Sequence, residues 1–399
     1  MNWLQGQIRG WIELMASTDN GQDFAEELQF SEEELACWLV FSQMQGLKIN
    51  DDQFKNILDR FENLINLFAQ DRRELIDSRL FKTEVVDSFL SQKEKAEPDK
   101  MLAVLKEKEV TALPFTHPLY PAKLRHIHSP PRVLYMKGRL DPQDLRATIA
   151  VVGTRKPTSY GRKLAKDFSR ELAASGATIV SGMAVGIDSL AHWGALEAGG
   201  KTVAVLASGV DHCYPSANRP LYEKLIEQEA GAVVSEFFPG TTPEKWRFPA
   251  RNRIVSGMSD ALLVVEAGES SGALITANLA FGQSRCVFAI PGRVDGAMSA
   301  GTNQLIAKTV AQLVVKPEDI LDNLGWVPGK KERNVPTVVE LFGREKEVFD
   351  FLSSEPVHFD QICHEVGMAA GQLSATLTIL ELGGVVERHP GEWFSRSDS

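Results

Sequence analysis

The sequence predicts a doubly wound α/β protein on a mostly parallel sheet, with a small helical segment before the sheet and a winged helix after it. Three observations lead there. Six short, continuous apolar runs lie between Ala147 and Gly292, separated by helical stretches and Gly-rich loops. Residues 1–100 place apolar side chains at helical spacing, with almost no strand-like alternation. Beyond Thr337, three helical segments are followed by a hairpin around His-Pro-Gly.

In chain order, "ACWLVFSQM" and "QFKNILDRFENLINLFAQ" mark a helical domain over 1–100. This stretch holds about 20 Asp and Glu against about 11 Lys and Arg, so most of the formal charge of -10 resides in it. The remaining three quarters are near neutral, and the net charge does not veto a polyanionic ligand. "YPAKLRHIHSPPRVLYMKG" is a Pro-punctuated connector ending in a short strand, "RVLYMKG". The sheet domain, 101–324, contains the strands "ATIAVVG", "ATIVSG", "TVAVLAS", "GAVVSE", "ALLVVEA" and "CVFAIPG", apolar throughout as strands covered on both faces require. Helices are predicted over "YGRKLAKDFSRELAASG", "GIDSLAHWGALEAGG", "NRPLYEKLIEQEAG" and "GALITANLAFGQS", each ending near Gly, Ser or Asn. "GWVPGKKERNVPT" reads as a linker over 325–337, and 338–399 as the winged helix.

Composition narrows the class. With 43% hydrophobic and 24% charged residues, the chain has the make-up of a soluble globular protein. No apolar run approaches the roughly 20 residues of a spanning helix, so no membrane insertion is expected. The amino end lacks the features of a secretory signal. Cys37, Cys213, Cys286 and Cys363 are far apart with no C-x-x-C, which disfavours disulfides and a zinc site and points to a cytoplasmic, reducing location.

Ligands of open parallel sheets bind outside the carboxyl ends of the strands, so the loop after each strand is where chemistry belongs. Those loops are "GTRKPTSYG", "SGMAVGID", "SGVDHCYPSAN", "SEFFPGTTPEKWRFPARNR", "EAGESSGALITA" and "PGRVDGAMSAGTNQLI". Each contains Gly, which turns a chain and also lets backbone N–H groups approach an anion at a helix start. Arg155, Lys245, Arg247, Arg251 and Arg253 lie on two of them, and the set together suggests a phosphate cradle. No loop is G-x-G-x-x-G or G-x-x-x-x-G-K-[ST], so neither a dinucleotide nor a P-loop nucleotide is expected, and no cofactor is assigned. Trp246 and Phe248 among these cations suit single-stranded nucleic acid, where cations follow the backbone and a ring stacks on a base; Phe248 can equally pack beneath its loop. Asp188, Asp211 and Glu266 are the acidic candidates, but each also has a structural reading as a helix-start carboxylate or a partner for loop arginines. No set of nucleophile, base and orienting group emerges, and the chain reads as a binder, not an enzyme.

Together the loops resemble the DprA/Smf family, DNA-processing proteins of natural transformation. "VVGTRKPTSYG", "SGMAVGIDSLAHWGALEAGGKTVAVLASGVDHCYPSAN", "SEFFPGTTPEKWRFPARNRIVSGMSDALLVVEAGESSGALITANLA" and "FAIPGRVDGAMSAGTNQLI" carry the resemblance in the family's order, with "YPAKL" and "PPRVLYMKG" as its lead-in. The resemblance implies an extended Rossmann-like domain with a small SAM-like helical domain before it and a winged helix after it. It implies single-stranded DNA bound in a strand-end pocket, protection of that DNA during uptake, homodimerisation through the Rossmann-like domain, and loading of the RecA recombinase. Carried onto this sequence, the nucleic-acid-binding residues are Arg155, Ser181, Gly182, Ser208, Gly209, Lys245, Phe248, Arg251 and Arg253. Arg155, Lys245 and Arg251 are expected on phosphates and Phe248 on a base, while Arg253, two residues after Arg251 on a helix, is placed to brace the loop on Glu236 or Glu266.

Two departures bear on function. After "GTNQLI" the chain reads "AKTVAQLV" where the family has an acidic or Gly residue and Gly-Ala. The recognition-helix segment "AAGQLSATLTILELGG" has no Lys or Arg, which points to protein contact or weak DNA contact. The rival readings are a nucleotide-processing hydrolase of the lysine-decarboxylase-like type, whose P-G-G-x-G-T-x-x-E loop is replaced here by "EAGESSGALITA", and a duplex-DNA regulator acting through the winged helix.

Overall fold

Continuous Val/Ile/Ala runs bury both sides of a strand, and a strand so buried needs a helix over each face. The computed structural model describes residues 30–47, 49–227, 230–326, 343–353, 356–382, 386–389 and 391–396. The first 29 residues, most of the expected linker and the start of "VVELFGREKEVFDFLSS" lie outside them. The chain divides into two units, 1–329 and 330–399.

Among the described residues of the first unit six helices precede the sheet: α1 (Glu32–Gln43), α2 (Asp51–Phe61), α3 (Leu64–Ala69), α4 (Arg72–Asp77), α5 (Thr83–Lys95) and α6 (Pro98–Glu107). The starts of α1 to α4 are set by side chains that take orphan backbone N–H groups, such as Ser31 Oγ accepting from Glu34 and the reciprocal Asn50/Gln53 capping box. Trp38, Phe54, Ile57 and Leu64 share one apolar cluster with Tyr135, Ala204 and Val233 of the sheet. Arg132, 3.6 Å above the Phe54 ring and 3.4 Å from Asp51, reinforces that joint.

The sheet strands are β1 (Thr111–Pro114), β2 (Val133–Gly138), β3 (Thr148–Val152), β4 (Thr178–Ser181), β5 (Thr202–Val205), β6 (Gly231–Ser235), β7 (Ala261–Val264), β8 (Cys286–Ala289) and β9 (Gln312–Leu313). Their spatial order is β1-β2-β6-β5-β4-β3-β7-β8-β9. β3 to β9 run parallel, and β2 joins β6 antiparallel with β1 outside it. All six apolar runs form strands, β3 to β8, and "RVLYMKG" forms β2; β1 and β9 had no such signal.

Alternation along each strand divides the core. Ala150 and Val152 face one cluster with Ile254, Val255, Ala273 and Ala277, whereas Ile149 and Val151 face another with Phe168, Leu172, Ala191 and Ala195. The connecting helices are α7 (Ser159–Ala174), α8 (Ile187–Glu197), α9 (Arg219–Glu227), α10 (Arg247–Gly257), α11 (Gly272–Gly282), α12 (Ala300–Ala307) and α13 (Pro317–Asn323). Among the described residues no helix is long and apolar enough to cross a membrane.

The second unit contains α14 (Gly343–Phe351), β10 (Val357–His358), α15 (Phe359–Val366), α16 (Ala370–Leu382), β11 (Val386–His389) and β12 (Trp393–Arg396). β12 pairs with both β10 and β11, and Val348, Ile362, Leu373, Leu377 and Phe394 form its core. This is the winged helix the sequence predicts.

Candidate nucleic-acid interface

From β3 the chain order runs outward to β4, β5 and β6 on one side, while β7, β8 and β9 lie on the other. At such a reversal the outgoing loops diverge and leave a crevice beyond the strand ends. Here the crevice has a volume of about 700 Å³. Gly153, Thr154 and Arg155 line it from the end of β3, Gly182 and Asp188 from beyond β4, and Tyr214 from beyond β5. Lys245, Phe248, Arg251 and Asn252 enter from the β6–α10 loop and the first turns of α10, and Ser270 to Ala273 from the start of α11.

Two glycines make this convergence sterically possible. Gly186 has φ +90°, and a Cβ there would lie 2.5 Å from the Thr154 carbonyl, so only Gly lets the β3 and β4 loops meet. A Cβ on Gly182 would lie 2.6 Å from Nη2 of Arg251 and 2.7 Å from Oδ2 of Asp188. Gly182 therefore lets a guanidinium and a carboxylate close over the backbone at the crevice floor.

That floor corrects one expectation. Arg251 is only 5% exposed, and its Nη1 donates to the carbonyl of Gly182 at 2.6 Å and to that of Val205. Burial brings its guanidinium down to about 10, against the opposing pull of Asp188. Burial raises the Asp188 carboxyl, and Arg251 is the leading influence opposing the rise. Arg251 thus holds the floor to two strand ends instead of standing free for a phosphate.

The rim differs. Arg155 and Lys245 are exposed, and Lys245 has no ion-pair partner among the described residues. The Arg155 guanidinium lies 5.4 Å from the centroid of Phe248, whose ring meets that of Tyr214 at 5.7 Å and 57°. Phe248 is half-buried and Tyr214 45% exposed, so the pair keeps open ring surface. α11 begins at the same wall, with Ser271 capping the Ala273 N–H, and directs the positive end of its backbone dipoles there.

Of the nine residues expected from sequence, Arg155, Gly182, Lys245, Phe248 and Arg251 line the crevice, and Ser181, Ser208, Gly209 and Arg253 do not. The Ser181 hydroxyl donates to the Val151 carbonyl, the Ser208 hydroxyl to that of His212, and the Gly209 N–H to that of Thr241. Arg253 chelates Glu236, with Nη1 to Oε1 at 2.8 Å and Nη2 to Oε2 at 2.5 Å, and donates to the Ser129 carbonyl. Glu236, not Glu266, is therefore the brace. Glu266 accepts from the Thr158 N–H and hydroxyl at the start of α7. Asp211 is held by Lys108 and the Gly240 N–H; burial would raise its carboxyl, but these contacts bring it below the usual range. Only Asp188 of the three acidic candidates lines the crevice. Among the described residues no group of three or more His, Cys, Asp or Glu side chains is arranged to hold a metal ion.

Tyr214 and Met298 also line the crevice and were not singled out from sequence. The "GESSGA" turn carried a signal, since Ser before a helical run marks a cap. Tyr214 carried none, because its role depends on meeting a ring 34 positions away in the chain.

A doubly wound sheet whose crevice joins exposed cations, an aromatic pair and a helix start defines a Rossmann-like protein suited to polyanions, here linked to a winged helix. The sequence model described as DNA recombination-mediator protein A matches residues 111–325, and that of the DprA winged helix domain matches 336–392. Protein Smf of Synechocystis is 34% identical over 398 residues, covering 91% of this chain and 99% of its own. The DNA processing protein DprA of Bacillus subtilis is 38% identical over 236 residues, covering 59% and 76%. The X-ray structure of DprA from Streptococcus pneumoniae superposes with a TM-score of 0.60 at 32% identity, over 74% of this chain and 98% of that one. The chain belongs to the DprA/Smf family of DNA-processing proteins.

Proposed function

We propose that this chain binds single-stranded DNA without sequence preference at the strand-end crevice, shields it during uptake, and passes it to a RecA-type recombinase. It does so as a homodimer and without catalysis. The observation that carries the reading is the crevice rim, where exposed Arg155 lies against the Phe248–Tyr214 ring pair and exposed Lys245 lines the same crevice. Arg155 and Lys245 take phosphates, Phe248 stacks on a base, and the start of α11 adds backbone donors. Membership of a family described as a recombination mediator supports the hand-over to RecA. The division of the chain proposed from sequence assigns DNA binding to 101–324 and leaves the winged helix, 338–399, to contacts with protein or to weak contacts with DNA.

The test is a titration of a labelled oligothymidylate over a range of salt. Two neutralised phosphates give a slope of log affinity on log salt of about -1.4 for a single strand. Lys245→Ala brings it to about -0.7, whereas Phe248→Ala weakens binding about 5- to 150-fold at unchanged slope. If both variants bind as the wild type does, the site is elsewhere. Adding RecA to the same oligonucleotide tests delivery, and sedimentation of the free protein tests the dimer.

A further inference from the structure

Trp246 lies directly between Lys245 and Arg247 yet does not line the crevice. It is 59% exposed, unusual for a large apolar ring without a covering partner. The ring is nevertheless held firmly. Its Nε1 donates to Glu244 at 2.6 Å, and it meets Phe237 edge-on at 6.1 Å and 89°. The Arg247 guanidinium lies 5.0 Å from its centroid and 5.1 Å from that of Phe237. Arg247 is in turn fixed by Glu244 at 3.0 Å and by the Thr242 carbonyl. Glu244 is thereby paired, and Lys245 next to it remains the unpaired charge of this ledge.

We infer that Trp246 is a second base-stacking platform, extending the path of a single strand beyond the crevice past Lys245. The inference rests on the single-strand reading proposed above. The occupant is the nucleotide flanking the one on Phe248. Trp246 and Phe248 are two residues apart, so their Cα atoms are within about 7.6 Å, and around a helix start they project to different sides. One ring therefore faces the crevice and the other the surface next to it, and Lys245, adjacent to Trp246 in the chain and itself lining the crevice, takes the connecting phosphate. A fixed ring backed by a guanidinium loses little freedom on stacking, and every base has a π-face to offer it.

The experiment compares two oligothymidylates, one of about four nucleotides that fills the crevice and one of about ten that reaches the ledge. For Trp246→Ala the long strand binds about 5- to 150-fold more weakly while the short one is unaffected, and Trp246→Phe keeps most of the long-strand affinity. Equal effects on both lengths, or none on either, overturn the platform. So does a change of oligomeric state with unchanged long-strand affinity, which makes the ledge a protein contact. Lys245→Ala, run alongside, keeps the two ideas apart: if it weakens both lengths while Trp246→Ala weakens neither, the crevice reading stands and the platform falls.

Discussion

Replacing Arg251 by Leu removes the cation from a floor in which Asp188 is only 8% exposed. The carbonyls of Gly182 and Val205 lose their donor at the same time. Leaving two buried carbonyls without their donor, and a buried carboxylate without the nearby cation that opposes its protonation, costs about 3–5 kcal/mol. For a unit of this size 1 kcal/mol shifts the midpoint by about 2 °C, so a fall of about 6–10 °C is expected. The loss has a pH signature. Burial already raises the Asp188 carboxyl above its usual 3.8, and Arg251 is the chief influence holding it down. Without Arg251 the folded state binds that proton more tightly than the unfolded state, so stability falls as pH rises between 3.8 and the raised folded value. The variant's deficit relative to wild type is therefore smaller at pH 5 than at pH 8, and Arg251→Leu combined with Asp188→Asn is less destabilised than Arg251→Leu alone. Thermal and urea unfolding followed by circular dichroism at both pH values measures this. A deficit below about 1 kcal/mol at both, or a double variant that simply adds the two losses, refutes the floor as a charge pair.

Three further outcomes follow from contacts elsewhere in the first unit. Gly161→Ala places a Cβ into the Glu266 carboxylate that holds Thr158, and a loss of about 1–3 kcal/mol is expected in thermal melts. Arg253→Ala breaks the chelate on Glu236 and costs about 1–3 kcal/mol, while oligothymidylate affinity in the same buffer stays at the wild-type value. Burial lowers His117 to about 4 and His192 to about 3 from the usual 6.5. The unfolded chain then binds more protons than the fold as pH drops from 6.5 to 4, and each histidine removes up to about 1.4 kcal/mol per pH unit there. His117→Gln flattens the urea-midpoint profile over that window if this holds.

The strands β3 to β8 were legible because burial on both faces demands unbroken apolar runs, a requirement written directly into sequence. β1 and β9 were not. The first spans only Thr111–Pro114 and is a strand because β2 offers it an antiparallel edge; the second is two exposed residues recruited by β8. The placement of Arg155, Lys245 and Phe248 on the crevice was legible as well, since all three lie after the carboxyl ends of parallel strands. The roles of Ser181 and Arg251 were hidden because each donates to a carbonyl distant in the chain, that of Val151, 30 residues before Ser181, and that of Gly182, 69 residues before Arg251, whereas Ser208 turns back on His212 within its own loop.

This division of arginines bears on how the crevice would attract a strand in the proposed function. On the floor, Arg251 and Asp188 oppose each other, so the pair adds little net charge despite its position. At the rim, Arg155 and Lys245 face solvent, where their field reaches outward and salt screens it. A phosphate chain is then favoured along the rim, and the group projecting inward meets rings and a neutralised floor. Discrimination among bases would need an unpaired donor or acceptor facing that group. The floor has directed Arg251 Nη1 to backbone carbonyls, so that nitrogen does not read a base.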